Sequence, residues 1–424
     1  MKKLTVLILS LFIAAHSVFA SGFQINEHGA KAMALGGAFT GLANDASAVY
    51  FNPAALSFLN GTNILGGVTL IMPTADYTQP TTRTVTKMES QTFTPINFYL
   101  THKFSDKVAA GLSLNNQYGL GTKWTPTWVG KYLAYDTEIV TYFITGVISY
   151  KFSEQFSIGA GVTYAIGNVN ITQVSNILVP GPSPFPDFQT KLDGDGNALG
   201  FTAALMYKPS EKVNLGLTFR SESKFEFEGD ATSTPANQPG VPIGGGQTVT
   251  VVYPNGKAKA PITTPMNITF GLGWMASDQV TVTADFQYVG WSSYDKLEIT
   301  FEEYAPLGQV PPYVTSVEKK WENSFIVRAG CEYNINENFN LRGGLLYDKN
   351  PVKDEYVDPI LPDNDRIGIN IGLGYDFGNG LVVDLAYMYL LFPEREITNS
   401  VVGFNGKYNN NANLIGLNLG YAFH

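Results

Sequence analysis

Hydrophobic and polar residues alternate along much of the chain with a period of two. Between Phe156 and Ile166 the even positions are apolar or aromatic and the odd positions are small or polar, and residues 213–220 and 280–288 repeat this pattern. Because successive side chains of a β-strand point to opposite faces, the pattern predicts strands with one face against an apolar medium. The longer runs exceed the roughly five or six residues of an average strand. They reach the about ten residues that a tilted strand needs to cross a bilayer.

Fourteen alternating segments can be counted between residues 62 and 423. Short turns such as Ser105–Asp106 and Gly378–Gly380 join some of them, whereas long polar segments such as 179–195 and 229–261 join others. Short turns at one end and long loops at the other are typical of outer-membrane barrels. An even number of strands lets an antiparallel sheet close without leaving an unpaired edge in lipid. The sequence therefore predicts an all-β transmembrane barrel of 14 antiparallel strands over residues 61–424.

The last predicted strand, residues 412–423, alternates up to Phe423. A terminal strand of this kind resembles the signal that barrel-assembly machinery reads, although His424 follows the aromatic residue here. Barrel-assembly machinery and outer-membrane lipid are therefore expected partners.

The first 60 residues do not follow the strand pattern. Residues 1–20 combine two lysines, a short apolar stretch and small residues before position 21, which predicts a secretory signal peptide. A buried N-terminal helix is the alternative. Residues 21–60 contain a run rich in Ala and Gly, and such small side chains allow a helix to approach other backbone closely. We expect a mostly helical hatch that plugs the lumen, since a barrel of this size otherwise leaks. A short periplasmic extension is the alternative.

The composition agrees with a membrane barrel and excludes other classes. Charged residues make up 15% of the chain, compared with about 25% in soluble proteins. The 27 basic residues are outnumbered by 36 acidic ones, so no nucleic-acid partner is expected. A single Cys rules out a disulfide framework, and His28, His102 and His424 are far apart in the sequence. We therefore expect no enzyme activity, no cofactor and no metal site.

Several motifs resemble the FadL/TodX family of outer-membrane transporters for long-chain fatty acids and other hydrophobic compounds. Gly22–Glu27 and Asn44–Leu56, which includes Asn52-Pro53-Ala54, resemble the family's hatch. Asn116–Thr122 resembles the end of its third strand, and Leu361–Arg366 resembles the start of a late strand. These matches occur in the family's order over almost the whole chain.

The resemblance implies passive transport across the bacterial outer membrane, by a chain that we expect to be a monomer. Ligand is captured at extracellular loops and passes to an interior pocket. Movement of the hatch then allows lateral exit through a gap at the third strand. The candidate substrate-binding or gating residues are Phe23, Ile25, Asn52, Pro53, Ala54, Tyr118, Gly119, Leu120, Lys320, Arg328 and Arg366.

These candidates have different expected roles. Phe23 and Ile25 form the mobile element that touches ligand, whereas Asn52 and Pro53 fix a turn of the hatch. Gly119 lies where the third strand can kink without a steric penalty from a Cβ atom. The predicted fifth strand has no basic residue over 164–172 to meet a carboxylate. Lys319, Lys320 and Arg328 are the basic candidates that remain.

Three alternatives to a fatty-acid transporter stay open. The first is an aromatic hydrocarbon channel of the same family. The second is a polar-solute porin, which requires an unplugged lumen. The third, an outer-membrane enzyme or adhesin, is disfavoured by the scarcity of histidine.

Overall fold

The computed structural model describes residues 22–176, 185–244 and 246–423. The predicted signal peptide, residues 1–20, lies outside the described residues. The first half of the strands, in chain order, comprises β1 (Thr62–Thr78), β2 (Val85–Lys87), β3 (Ile96–Lys103), β4 (Val108–Asn115), β5 (Gly119–Lys123), β6 (Asp136–Ser153), β7 (Phe156–Ser175), β8 (Phe188–Ser210), β9 (Val213–Arg220), β10 (Ser223–Thr234), β11 (Asn237–Gly244) and β12 (Gln247–Val252). The second half comprises β13 (Gly256–Thr264), β14 (Asn267–Met275), β15 (Val280–Val289), β16 (Lys296–Phe301), β17 (Tyr313–Glu318), β18 (Ser324–Asn334), β19 (Phe339–Asp348), β20 (Arg366–Asp376), β21 (Leu381–Leu391), β22 (Arg395–Ile397) and β23 (Gly406–Phe423).

Fourteen of these strands form the wall of a closed antiparallel barrel. Each wall strand pairs with the next one along the chain, in the order β1, β3, β4, β6, β7, β8, β9, β14, β15, β18, β19, β20, β21 and β23. The ring closes between β1 and β23, whose register runs from Thr62 opposite Phe423 to Thr78 opposite Lys407. The predicted fold and strand number are confirmed.

The two faces of the wall differ as the alternation predicts. On β7, Phe156, Tyr164 and Ile166 are exposed on the outer face, whereas Ser157 and Ala165 are buried on the inner face. An outer surface of aromatic and branched side chains is suited to lipid. The charge deficit of the sequence therefore belongs to this outer surface.

Strand pairing extends into the connections between wall strands. The segment 229–261, predicted as a loop, contains the second half of β10, all of β11 and β12 and most of β13. Of the fourteen alternating segments counted in the sequence, the one over 212–228 is broken at 221–222, and the one over 280–302 is broken by a 3-10 helix at Trp291–Ser293. The prediction of a loop over 229–261 was wrong because β11 contains Pro239, Gly240 and Pro242, residues that are typical of loops.

The third wall strand is interrupted. Its first part, β4, pairs with β3 and β6 and ends at Asn115. Its second part, β5, pairs with β6 from Gly119 opposite Val140 onward, but among the described strands it has no pairing with β3. The wall therefore contains an unpaired stretch at residues 116–118.

Residues 22–60 form the N-terminal segment, which contacts the inner face of the wall. Its helices are short: α1 (Ala30–Ala34), α2 (Ala48–Phe51) and a 3-10 helix (Pro53–Phe58). The helix α1 contacts β19, β20, β21 and β23, and the 3-10 helix contacts β3, β4, β6, β7 and β8. A last 3-10 helix spans Asp354–Tyr356 in the loop before β20. In the described part of the chain, no helix has the length and apolarity needed to cross a membrane.

Glycine allows the close approach between this segment and the wall. A Cβ atom on Gly41 would lie 2.5 Å from the carbonyl carbon of Leu272 in β14, so a larger residue would push the two backbones apart. The run of small residues noted in the sequence therefore fits the narrow space inside the barrel.

Candidate functional site

A cavity of about 450 Å³ lies between the N-terminal segment and the interrupted third strand. Its lining includes Phe23 and Ile25 from the segment and Tyr118, Gly119 and Leu120 from the third strand. It also reaches β1, the start of β20, the end of β21 and the first half of β23. The cavity is largely apolar, which suits a hydrophobic ligand.

The beginning of the N-terminal segment pairs with the unpaired stretch of the wall. Ile25 N–H donates to the carbonyl oxygen of Gln117 over 2.9 Å, and Gly119 N–H donates to that of Phe23 over 3.0 Å. Gln24 and Tyr118 form an isolated antiparallel bridge. Backbone groups that lack a partner on β3 are thus satisfied by the segment.

Phe23 lies in a cluster of aromatic rings at the edge of the cavity. Its ring centroid is 4.9 Å from Trp291, 5.7 Å from Tyr294, 5.8 Å from Trp321 and 6.0 Å from Tyr118. Most of these contacts are edge-to-face, the arrangement that aromatic quadrupoles favour. Phe23, a candidate from the sequence, lines the cavity, whereas no sequence signal pointed to Trp291 and Trp321, which are remote in the chain.

Tyr118 is held in position by polar contacts. Its backbone N–H donates to Thr141 Oγ1 over 3.2 Å, and its hydroxyl donates to the carbonyl oxygen of Pro265 over 3.2 Å. Asn116 bridges the two neighbouring strands, since it accepts from Ile96 N–H at 2.8 Å and donates to the carbonyl oxygen of Thr141 at 2.6 Å. The interruption is therefore a fixed feature of the wall.

Gly119 and Gly121 occupy positions where space is limited. Neither has a positive φ, so their backbone conformation does not require glycine. Glycine is needed here because a side chain would clash with its neighbours. A Cβ on Gly119 would lie 2.9 Å from Ile25 Cδ1, and one on Gly121 would collide with the ring of Phe93. Larger residues here would obstruct the cavity.

The cavity opens toward the outside of the wall beside this interruption. Ile96 on β3 and Tyr142 on β6 line the cavity and are 39% and 38% exposed on the outer face. Residues that belong to the lipid-facing surface thus also border the interior. We call this opening, bordered by Ile96, Tyr142 and residues 116–121, the lateral window.

Asn52, Pro53 and Ala54 lie away from the cavity, at the opposite end of the N-terminal segment. Asn52 Nδ2 donates to the carbonyl oxygens of Thr40 and Leu205 at 3.0 and 3.1 Å, and its Oδ1 caps the 3-10 helix through Ala54 N–H. The carbonyl oxygen of Ala54 accepts from Ser149 Oγ at 2.9 Å and Ser157 Oγ at 2.7 Å. The contacts of this triplet are those of an anchor to the wall.

The predicted basic residues separate into three environments. Arg366 lines the cavity and donates to the carbonyl oxygen of Gly22 and to Asp363 Oδ1. Arg328 is buried against the segment, donating to Gln287 Oε1 at 2.7 Å and Asn26 Oδ1 at 2.9 Å. Lys320 is exposed and pairs with Glu318, so it does not border the cavity.

Lys319, the neighbour of Lys320, lines a second, smaller cavity of about 40 Å³. Phe23 and Leu120 line both cavities. The ammonium group is buried and lies 2.5 Å from Asp358 Oδ2. Burial lowers the pKa of Lys319, but the Asp358 carboxylate outweighs this effect, so the pKa is raised above its ordinary value. The sequence left Lys319 and Lys320 equivalent, and only the fold distinguishes them.

Other lumen charges pair among themselves. Arg342 lies 2.6 Å from Glu332 and 2.5 Å from Asp384, and the backbone N–H groups of Phe39 and Thr40 donate to Asp285. These pairs join wall strands to one another and to the N-terminal segment. Across residues 22–176, 185–244 and 246–423, no group of three or more His, Cys, Asp or Glu residues could hold a metal ion.

A closed barrel with an apolar outer face and an apolar internal cavity defines the class of outer-membrane transport proteins. The chain belongs to the outer membrane protein transport protein family (OMPP1/FadL/TodX), whose family model matches residues 11–423. It is therefore an outer-membrane transporter for hydrophobic compounds.

Individual relatives agree with this assignment. The chain is 23% identical to the long-chain fatty acid transport protein of Escherichia coli O6:H1, over 98% of each chain. A Pseudomonas aeruginosa FadL homologue superposes with a TM-score of 0.77 and 23% identity, covering 95% of this chain and 100% of that one. The Pseudomonas putida toluene transporter TodX gives a TM-score of 0.73 and 17% identity, covering 96% and 100%. At these identities the solved structures establish the fold.

Proposed function

We propose that the protein carries long-chain fatty acids passively across the outer membrane and releases them sideways through the lateral window. The observation that carries this proposal is the cavity itself, which runs from the aromatic cluster around Phe23 to the outward-facing Ile96 and Tyr142. A ligand in this cavity is close to both the extracellular loops and the lipid. Partners are then the ligand and outer-membrane lipid, with the chain acting as a monomer.

Binding and release both follow from hydrophobicity. Each CH₂ group removed from water contributes about 0.8 kcal/mol, so an apolar cavity extracts a long acyl chain from water without an energy source. Release through the window transfers the chain directly into lipid. The ligand therefore avoids returning its apolar surface to water in the periplasm.

The N-terminal segment acts as the hatch in this proposal. Phe23 and Ile25 occupy apolar contacts that a ligand could replace, and Ile25 borders Gly119 at the window. Withdrawal of residues 22–27 would join the main cavity to the smaller one beside Lys319, since Phe23 lines both. The anchored Asn52-Pro53-Ala54 end would stay in place.

Two features favour a fatty acid over an aromatic hydrocarbon. The cavity is lined by residues of β1, β5, β6, β20, β21 and β23, an extent that fits a long flexible chain better than a single ring. Arg366 and Lys319 place positive charges at the main and the smaller cavity, where a carboxylate could exchange with Asp363 or Asp358. The aromatic cluster around Phe23 is the observation that supports the alternative of aromatic hydrocarbon uptake.

Uptake measurements in cells that lack other transporters of this class test the proposal. In Gly121→Leu the new side chain meets Phe93 beside the window, and we expect fatty-acid uptake to fall by more than half of the native rate. The matched control is Gly146→Leu, because a Cβ on Gly146 has no heavy atom within 4 Å. Heat-dependent mobility on gels would confirm that both variants form barrels.

Three outcomes distinguish the candidates. Loss of fatty-acid uptake in Gly121→Leu with normal uptake in Gly146→Leu supports the proposal. Native-level toluene uptake without fatty-acid uptake would support the aromatic alternative. Large steady ion currents in planar bilayers, without uptake of either ligand, would identify a polar-solute porin.

A further inference from the structure

The outer face of the wall beside the lateral window contains a groove of about 590 Å³. Its sides are formed by Tyr142, Tyr164 and Ile166, and its floor includes the backbone of Gly167 and Gly196. The three larger residues are all exposed. The groove is therefore a concave, partly aromatic part of the outer face.

The groove adjoins the interior cavity. Val140 and Tyr142 on β6 line both spaces, so a molecule that leaves through the window meets the groove next. The departing ligand is therefore the expected occupant of the groove, because a ligand coming from inside reaches this surface before it reaches bulk lipid.

The polar end of the groove has a definite charge. Asn168, Asp195 and Asn197 border it, and Asn168 Nδ2 donates to Asp195 Oδ1 over 3.2 Å. Glu228 on β10 lies opposite Asp195 in the strand register, and its charge is compensated by Lys259 at 3.1 Å, so Asp195 carries the negative charge that faces the groove. A carboxylate placed at this end would meet like charge, whereas an acyl chain would meet tyrosine and isoleucine.

We infer that this groove is an exit subsite that holds the apolar chain of the departing ligand, with Asp195 disfavouring retention of an anionic head group. The inference rests on the proposed function, since it requires release through the window. The subsite shortens the exposure of the ligand to water during exit, and Asp195 sets the ease with which a fatty acid leaves it.

Site-directed fluorescence in lipid nanodiscs tests the inference. In a Cys331→Ser background, a fluorophore is attached at Tyr164→Cys in the groove or, as matched control, at Ile369→Cys, which is an outward position on β20. A brominated long-chain fatty acid is added from the aqueous side. We expect quenching at position 164 to half-saturate at a ligand concentration at least threefold below that at position 369. Filling the groove with Ile166→Trp or, independently, Asn197→Trp should abolish this difference.

The charge at the groove is tested separately. Asp195→Asn should increase fatty-acid occupancy roughly twofold, the size expected for an exposed charge pair, and should leave occupancy by the matching long-chain alcohol unchanged. Equal increases for both ligands would overturn the role of Asp195.

Further outcomes would overturn the subsite itself. Equal quenching at positions 164 and 369 would show partitioning into bulk lipid only. Preferential quenching at 164 by a brominated phospholipid that fatty acid cannot displace would assign the groove to membrane lipid. In a Trp274→Phe background, which removes the exposed tryptophan of the outer face, quenching of the remaining buried tryptophans reports the interior independently. Tryptophan quenching without occupancy of the groove would contradict the exit subsite alone. The absence of tryptophan quenching together with lost uptake would contradict the proposed function.

Discussion

The two ends of the N-terminal segment are held in different ways. At Asn52-Pro53-Ala54, side-chain and backbone polar groups form directional hydrogen bonds to Leu205, Ser149 and Ser157 in the wall. At residues 23–25 two backbone hydrogen bonds join the segment to the third strand, and the side chains of Phe23 and Ile25 make apolar contacts. Arg366 and Arg328 donate to the flanking Gly22 and Asn26. Both ends are buried, so burial alone does not distinguish them.

The difference matters because the two kinds of contact respond differently to a hydrophobic ligand. A buried amide that loses its hydrogen bonds leaves unsatisfied polar groups, and a hydrocarbon cannot replace them. An aromatic contact can be replaced by another apolar group at little cost, since the hydrophobic effect is non-directional. A hydrophobic ligand can therefore replace the side-chain contacts of Phe23 and Ile25, whereas it cannot replace the contacts of Asn52.

The largest expected effect comes from the anchored end. Asn52→Ala removes three hydrogen bonds and leaves the carbonyl oxygens of Thr40 and Leu205 buried, so we expect a loss of about 3 kcal/mol in unfolding free energy, at about 1 kcal/mol per hydrogen bond. Denaturant titration of the protein in detergent measures the loss. Limited proteolysis should show cleavage within residues 30–58 that the native protein resists.

The control for this prediction is Asn63→Ala, at the start of β1. The Asn63 amide donates to the carbonyl oxygen of Asn60 at the exposed rim of the barrel, and surface changes of this kind usually alter stability by no more than about 0.5 kcal/mol. Equal losses in the two variants would contradict the view that the Asn52 contacts are an anchor.

The same comparison shows what a sequence can reveal. The alternation on β7 and the turn at Ser105 predicted the wall because lipid imposes a period of two on every strand that crosses it. Phe23 and Asn52 were candidates because of motifs close to the N-terminus. Trp291 and Trp321 meet the ring of Phe23 only in the folded barrel, which brings together residues roughly 300 positions apart in the chain. The strands within 229–261 were missed because Pro and Gly in this segment are typical of loops.

A smaller effect is expected at the cavity end. Phe23→Ala removes a ring that borders an open cavity, so we expect a local loss of about 2 kcal/mol, below the about 3–5 kcal/mol of a Phe→Ala change in a closed core. Hydrogen exchange should accelerate over residues 22–27 and stay unchanged over residues 30–58. Phe98→Ala, on the lipid-facing side of β3, is the matched control and should leave both regions unchanged. Acceleration throughout 22–58 would show that the two ends are one cooperative unit.

The smallest expected effect concerns His28, which lies between the two ends. Its Nε2 is 2.8 Å from the carbonyl oxygen of Ile25, and its ring centroid is 3.8 Å from that of Tyr50. Burial, together with the positive charge of Arg220, lowers the pKa of His28 to about 3. The imidazole is therefore neutral in the folded segment, and its protonation favours states in which the ring is released.

The sign of the pH dependence follows from that depressed pKa. The contribution of His28 is fully present above the ordinary pKa of 6.5 and is lost as the pH falls toward 3, with a limiting slope of about 1.4 kcal/mol per pH unit. Burial raises the pKa values of Glu27 and Asp45, so these carboxyl groups act in the opposite direction.

The difference in unfolding free energy between the native protein and His28→Gln isolates the contribution of the imidazole. We expect the stability advantage of the native protein to shrink by about 1 kcal/mol between pH 7 and 5.5, with faster exchange at residues 22–27. His102→Gln, at the rim of the wall, should not change that exchange. A constant gap between the native protein and His28→Gln would show that the imidazole does not link the cavity end of the segment to its anchor.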